Sequence, residues 1–126
     1  MKQSQAHKAP VLIVDDEQDI CFLLNTILRQ KDIDTCLAGS LAEAQKIIEN
    51  DSPAMIFLDN HLPDGLGLDH ISKLKQKSPC SKIVMITAHD NPAERERAYR
   101  EGADFFISKP FTKDVIYNTL RQLSVE

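Results

Sequence analysis

Val11-Leu12-Ile13-Val14-Asp15-Asp16-Glu17 joins four apolar residues directly to three acids. The same arrangement recurs along the chain. Met55-Ile56-Phe57-Leu58 ends in Asp59, Ile83-Val84-Met85-Ile86 in Thr87, and Phe105-Phe106-Ile107-Ser108 in Lys109-Pro110. The runs are not alternating, which is the pattern of strands covered on both faces. Amphipathic stretches separate them, and that alternation signals βα units and a parallel sheet. In such a sheet the four polar ends share one edge. The carboxylates of Asp15, Asp16 and Asp59, a hydroxyl and an ammonium then meet in one crevice, a set suited to a hard cation beside a phosphoryl group.

The segments between the runs read as helices. Ile20, Leu23, Leu24, Ile27 and Leu28 follow helical spacing. Asp34 to Ala38 reads as a more polar strand at an edge. Ser40-Leu41-Ala42-Glu43 matches a capping box before the stripe Leu41, Ala44, Ile47 and Ile48. A loop from Asn60 to Gly67 precedes a helix carrying Leu68, Ile71 and Leu74, which Ser78-Pro79 ends. Asn91-Pro92 supplies a cap and a first-turn proline to a fourth helix, closed by Gly102. Thr112 caps the last helix, with Val115, Ile116, Thr119, Leu120 and Leu123 as its stripe. The expected fold is α/β, a (βα)5 doubly wound, flavodoxin-like, five-stranded parallel sheet in strand order 2-1-3-4-5. Ligands of such sheets bind beyond the carboxyl ends of the strands. The fourth helix, Pro92 to Glu101, has little apolar surface to bury, so it is expected to be mobile and weakly docked.

Composition narrows the function. The chain has 126 residues, a net charge of −4, 42% hydrophobic and 27% charged residues. That size suits one domain, expected over residues 9–124 after a short polar tail at 1–8, with no output domain in this chain. The acidic balance argues against direct nucleic-acid binding and against an anionic membrane surface. No apolar stretch approaches bilayer length. Cys21, Cys36 and Cys80 are odd in number and irregular in spacing. They are expected to be buried free thiols in a reducing cytoplasm, without zinc or disulfides.

Asp59 is a candidate nucleophile as well as a ligand, because a carboxylate attacking phosphorus gives an aspartyl phosphate. Such transfer depends mainly on positioning and charge stabilisation. Lys109 and Thr87 are placed to meet phosphoryl oxygens, and small Ala88 leaves room for the incoming group. A cis Lys109-Pro110 bond would aim the lysine into the crevice.

Taken in order, Val14-Asp15-Asp16-Glu17, Leu58-Asp59 with Leu62-Pro63-Asp64-Gly65, Ile86-Thr87-Ala88 and Lys109-Pro110-Phe111 resemble the receiver domain of two-component response regulators. The resemblance runs from about Ala9 to Leu123. It implies that Asp59 accepts a phosphoryl group from a phosphohistidine of a sensor histidine kinase or phosphotransfer protein. It implies Mg2+, or Mn2+, held by Asp16, Asp59, the backbone carbonyl of His61, and Asp15 through water. Thr87 and Lys109 bind the phosphoryl oxygens, and Thr87 and Phe106 act as the switch. That switch reports on the surface of the fourth helix, fifth strand and fifth helix to a downstream effector or output domain. Asn60, Ala88, His89 and Pro110 border the pocket. The resemblance implies a cytoplasmic monomer or weak dimer that autocatalyses its own phosphorylation and dephosphorylation and is not otherwise an enzyme.

His61 and His89 stand at two variable positions of that family's pocket. Either pairs with the phosphoryl group or interferes with an attacking water, or both simply face solvent. The first reading gives a phosphate lifetime that depends on pH between about 6 and 7.5, where histidine titrates. Two other classes compete. A phosphorylation-independent interaction module would tend to lack an acid, the acceptor or the lysine. A dehalogenase-type phosphatase would want an acid at position 61, and a flavodoxin a hydroxyl-rich loop at positions 15–17.

Overall fold

A computed structural model describes residues 10–123. The expected tail at 1–8 and the outermost positions of the domain, 9 and 124, lie outside the described residues. The elements are β1 (Val11–Val14), α1 (Gln18–Arg29), β2 (Thr35–Ala38), α2 (Leu41–Asn50), β3 (Met55–Asp59), α3 (Ile71–Lys77), β4 (Lys82–Thr87), α4 (Pro92–Glu101), β5 (Phe105–Ser108) and α5 (Lys113–Gln122). The five strands form one parallel sheet in the order β2-β1-β3-β4-β5. This is the doubly wound order expected from the alternation of runs.

Successive residues of a strand point to opposite faces, and the core divides accordingly. Leu12, Val14, Ile56, Leu58, Ile83 and Met85 pack with residues of α2 and α3 and with Ala98 of α4. Val11, Ile13, Met55, Phe57, Val84, Ile86 and Ile107 pack with α1 and α5. Both faces of the central strands are therefore buried, which is why their sequences do not alternate. No helix among the described residues is long and apolar enough to cross a membrane.

Register places the polar strand ends. Val14 is level with Leu58, so Asp15 and Asp59 leave neighbouring strands together. Thr87 is level with Ser108, so Lys109 follows at the same height. The Lys109 N–H donates to Thr87 O at 2.8 Å, and the Lys109-Pro110 bond is cis.

Helix starts follow the sequence closely. Asn91 Oδ1 accepts from Ala93 and Glu94 N–H, and Thr112 Oγ1 accepts from Val115 N–H. Ser40 Oγ accepts from Glu43 N–H, while Glu43 Oε1 reaches back to Gly39 N–H, one residue earlier than the predicted box. A second device lay outside the local pattern. The Asp64 carboxylate accepts from Leu41 and Ala42 N–H at 2.9 and 3.0 Å, which holds it below the usual carboxylate range. It thus ties the segment after β3 to the first turn of α2.

That segment is more ordered than a loop. His61–Leu62 pairs antiparallel with Gly65–Leu66, and a 3-10 turn, Gly67–His70, leads into α3. Gly65 has a φ of 147°, where a side chain is strained. Gly67 passes so close to β3 that an added Cβ would sit 2.4 Å from Asp59 O. Asn60 is buried, and its Oδ1 accepts from Leu68 N–H at 3.0 Å.

Three expectations are corrected. The buried stripe of α1 is Cys21, Leu24, Ile27 and Leu28, and Leu23 is exposed. One residue rotates a helix by about 100°, so a stripe centred on Leu24 and Leu28 turns Leu23 outward. Val115 of α5 is likewise exposed, while Thr119 is buried with its hydroxyl donating to Val115 O at 2.8 Å. Of the three free thiols, Cys21 is buried, Cys36 partly buried and Cys80 exposed in the turn before β4. The weak burial expected of α4 holds, for only Ala98 is buried there.

The phase of α1 is checked by two substitutions. Leu24→Ala lowers the unfolding free energy by about 3 kcal/mol, as for a fully buried leucine. Leu23→Ala changes it by less than about 0.5 kcal/mol. Urea unfolding of both variants measures the contrast.

Candidate functional site

The crevice at the carboxyl edge is organised by Lys109. Its ammonium lies 2.6 Å from Glu17 Oε1, 3.1 Å from Asp15 Oδ2 and 3.3 Å from Asp59 Oδ1. The lysine, Asp15 and Asp59 side chains are 9%, 3% and 5% exposed, whereas Glu17 is 59% exposed. Asp15 Oδ1 also accepts from Glu17 N–H at 2.9 Å, which fixes the turn leading into α1. Oxygens of Asp15, Glu17 and Asp59 lie within 4.8 Å of one another. Asp16 is exposed and outside that trio.

One ammonium thus faces three carboxylates, two of them buried. Burial pushes the Asp59 carboxyl up to about 6, Asp15 adds repulsion, and Lys109 offsets part of the rise. Burial also raises Asp15, against the Glu17 N–H and Lys109. Burial alone would lower Lys109, but the Glu17 hydrogen bond and the Asp59 and Asp15 charges outweigh it and hold the ammonium above its ordinary range. An added divalent cation would relieve the surplus negative charge. Hard oxygen donors from carboxylates fit magnesium, which is usually held by one or two of them together with water and phosphate.

The other candidates surround this cluster. Thr87 is buried at the end of β4, and its Oγ1 accepts from His89 N–H at 3.1 Å. Ala88, His89 and Pro110 are exposed. The Asn60 side chain serves the backbone of the following turn, as described above. The exposed rings of His61 and His89 meet edge to face with centroids 5.0 Å apart. Phe106 is buried, with the Arg95 guanidinium 4.8 Å from its ring centroid. Arg95 pairs with Asp90 at 2.7 Å, and the same Asp90 oxygen accepts from Ser108 Oγ at 2.6 Å. The Ser108 hydroxyl and Arg95 hold the Asp90 carboxyl low.

Sequence reasoning gave no role to Glu17 or to the Asp90–Arg95–Ser108 set. The third acid of the opening run was the available signal for Glu17. Nothing local marks the other set, because Asp90 and Ser108 meet only through the register of β4 and β5.

The raised Asp59 value sets a pH dependence. The carboxyl's ordinary value is 3.8 and its folded value about 6, so the folded protein binds the proton more tightly. The associated stability is full below pH 3.8 and is lost as pH rises through about 6. In chelator, Asp59→Asn is therefore more stable than the parent at pH 7.5 by about 1–3 kcal/mol, and the advantage shrinks at pH 5. Urea unfolding at both pH values reads the difference. A variant less stable at pH 7.5 would contradict the charge surplus.

Known proteins resemble this chain in sequence and in fold. A family model described as the response regulator receiver domain matches residues 11–121. The chain is 29% identical over 123 residues to the probable transcriptional regulatory protein TcrX of Mycobacterium tuberculosis, covering 98% of this chain and 53% of that protein. It is 36% identical over 99 residues to the response regulator protein PilR of Pseudomonas aeruginosa, covering 79% of this chain and 22% of that protein. It thus spans about half of one relative and less of the other. A response regulator from Burkholderia pseudomallei, solved with a phosphorylated aspartic acid, calcium and citrate, aligns with a TM-score of 0.85 at 25% identity over 93% of this chain and 69% of that one. The beryllofluoride-activated NtrC4 receiver domain dimer aligns with a TM-score of 0.86 at 34% identity, over 90% and 94% of the two chains. Polar strand ends, doubly wound order and matched motifs agree, and the chain belongs to the receiver-domain family of two-component response regulators.

Proposed function

We propose that Asp59 is the phosphoacceptor and that its donor is a phosphohistidine of a sensor histidine kinase or phosphotransfer protein. An Asp59 oxygen forms the bond to phosphorus as the phosphorus–nitrogen bond breaks, and the imidazole keeps that electron pair. The observation that carries this reading is the buried Asp59 carboxylate 3.3 Å from the Lys109 ammonium, at a strand end rich in acids.

Each neighbour then has a task. Lys109 pairs with one phosphoryl oxygen, and the Thr87 hydroxyl donates to another. Asp16, Asp59, the His61 carbonyl and, through water, Asp15 would hold Mg2+ or Mn2+, which supplies positive charge to the phosphoryl group when bound. His61, Ala88, His89 and Pro110 sit around the entrance. The domain catalyses its own phosphorylation and hydrolysis and has no separate turnover substrate.

The signal leaves through the face formed by α4, β5 and α5. Phosphoryl contacts draw Thr87 inward and favour the conformer in which Phe106 is packed, a population shift rather than a new fold. The weak burial of α4 supports this assignment, because a helix held by few apolar contacts is the element most easily redistributed. We place the chain in the cytoplasm as a monomer or weak dimer, acting on an effector or output domain without touching nucleic acid itself.

The test is labelling by acetyl phosphate with magnesium. Intact mass rises by one phosphoryl group in the parent chain, does not rise in Asp59→Asn, and does not rise when a chelator removes the metal. Labelling that survives in Asp59→Asn moves the acceptor elsewhere. An unlabelled parent chain favours a phosphorylation-independent interaction module.

A further inference from the structure

We propose that Glu17 is a placeholder for the phosphoryl group, occupying Lys109 in the unphosphorylated protein and releasing it when Asp59 is phosphorylated. This rests on the reading of Asp59 as acceptor.

An ammonium has three donors and no more. Those of Lys109 face Glu17, Asp15 and Asp59, so a phosphoryl oxygen must replace an existing partner. Asp59 is the site of the new bond and stays beside it. Asp15 is buried, and its second oxygen is already committed to the Glu17 N–H. Glu17 is the partner that can leave, because its carboxylate is mostly exposed and regains water when it turns away.

The local backbone permits that exchange. Glu17 N–H is held by Asp15 Oδ1, and Glu17 O accepts from Cys21 N–H at 3.1 Å in the first turn of α1. Glu17 makes no side-chain cap to that helix. Rotation of its side chain therefore frees Lys109 without moving α1. The Glu17 contact is also the shortest of the three, at 2.6 Å, so in the resting protein the lysine leans toward the exchangeable acid. An incoming phosphoryl group repels Glu17 and attracts Lys109, which drives the exchange in one direction. The cost of displacing Glu17 is subtracted from phosphoryl affinity, so this residue sets the threshold for activation.

Beryllofluoride, a phosphoryl mimic, tests the exchange at saturating magnesium by NMR titration of the full chain. Glu17→Gln binds it roughly fivefold more tightly than the parent, the worth of one partly exposed ion pair. Glu43→Gln is the control, since Glu43 lines the same groove as Asp15 and bonds Gly39 rather than Lys109. It removes an equal charge and changes affinity by less than about twofold. Equal or weaker binding by Glu17→Gln overturns the placeholder, as does equal tightening by Glu43→Gln. A parent chain that binds no beryllofluoride overturns the acceptor reading itself.

Discussion

The ammonium of Lys109 is the constraint on which the carboxyl edge of the sheet depends. Two carboxylates are buried there side by side, and burying unpaired charge costs several kcal/mol per ion. The lysine lowers that cost by reaching Asp15, Asp59 and Glu17 together. It does not cancel it, as the raised Asp59 value records. The crevice keeps a residual negative charge. Under the proposed function, a bound cation would offset that charge as a phosphoryl group approaches.

The sheet makes this arrangement feasible. Asp15, Asp59, Thr87 and Lys109 are each the first residue past a strand or the last of one, and parallel register brings those positions level, while Glu17 reaches in from the start of α1. The acids, the hydroxyl and the lysine come from segments separated by scores of residues, yet none needs a long loop to reach the crevice. Rigidity below the site comes from strands covered on both faces. Close approach beside it comes from Gly67, whose missing side chain lets the following turn lie against Asp59 O. The same backbone that buries Asp59 therefore also braces it.

Much of this was legible in the chain because strand termini are local features. An apolar run followed by an acid states both a strand and the place where it ends. Helix caps were legible for the same reason, as Ser40, Asn91 and Thr112 demonstrate. What escaped depended on distant neighbours. Asp64 caps α2 from 22 residues away, and Glu17 meets a lysine 92 residues along the chain. The phase of α1 escaped for a subtler reason. Cys21 and Leu23 are both acceptable core residues, and packing against the sheet chose the first.

The attachment of α4 differs in kind from that of its neighbours. Helices α1 and α5 are held by buried aliphatic side chains. Beyond Ala98, α4 is held by Arg95 to Asp90, Arg97 to Asp69, and the Arg95 guanidinium over Phe106. Ion pairs at a surface weaken as the Debye length shortens, whereas burial does not. Dissolved salt therefore loosens α4 more than the helices held by buried aliphatic side chains, and under the proposed function the ionic strength of the surroundings becomes a second input to the face through which the signal would leave.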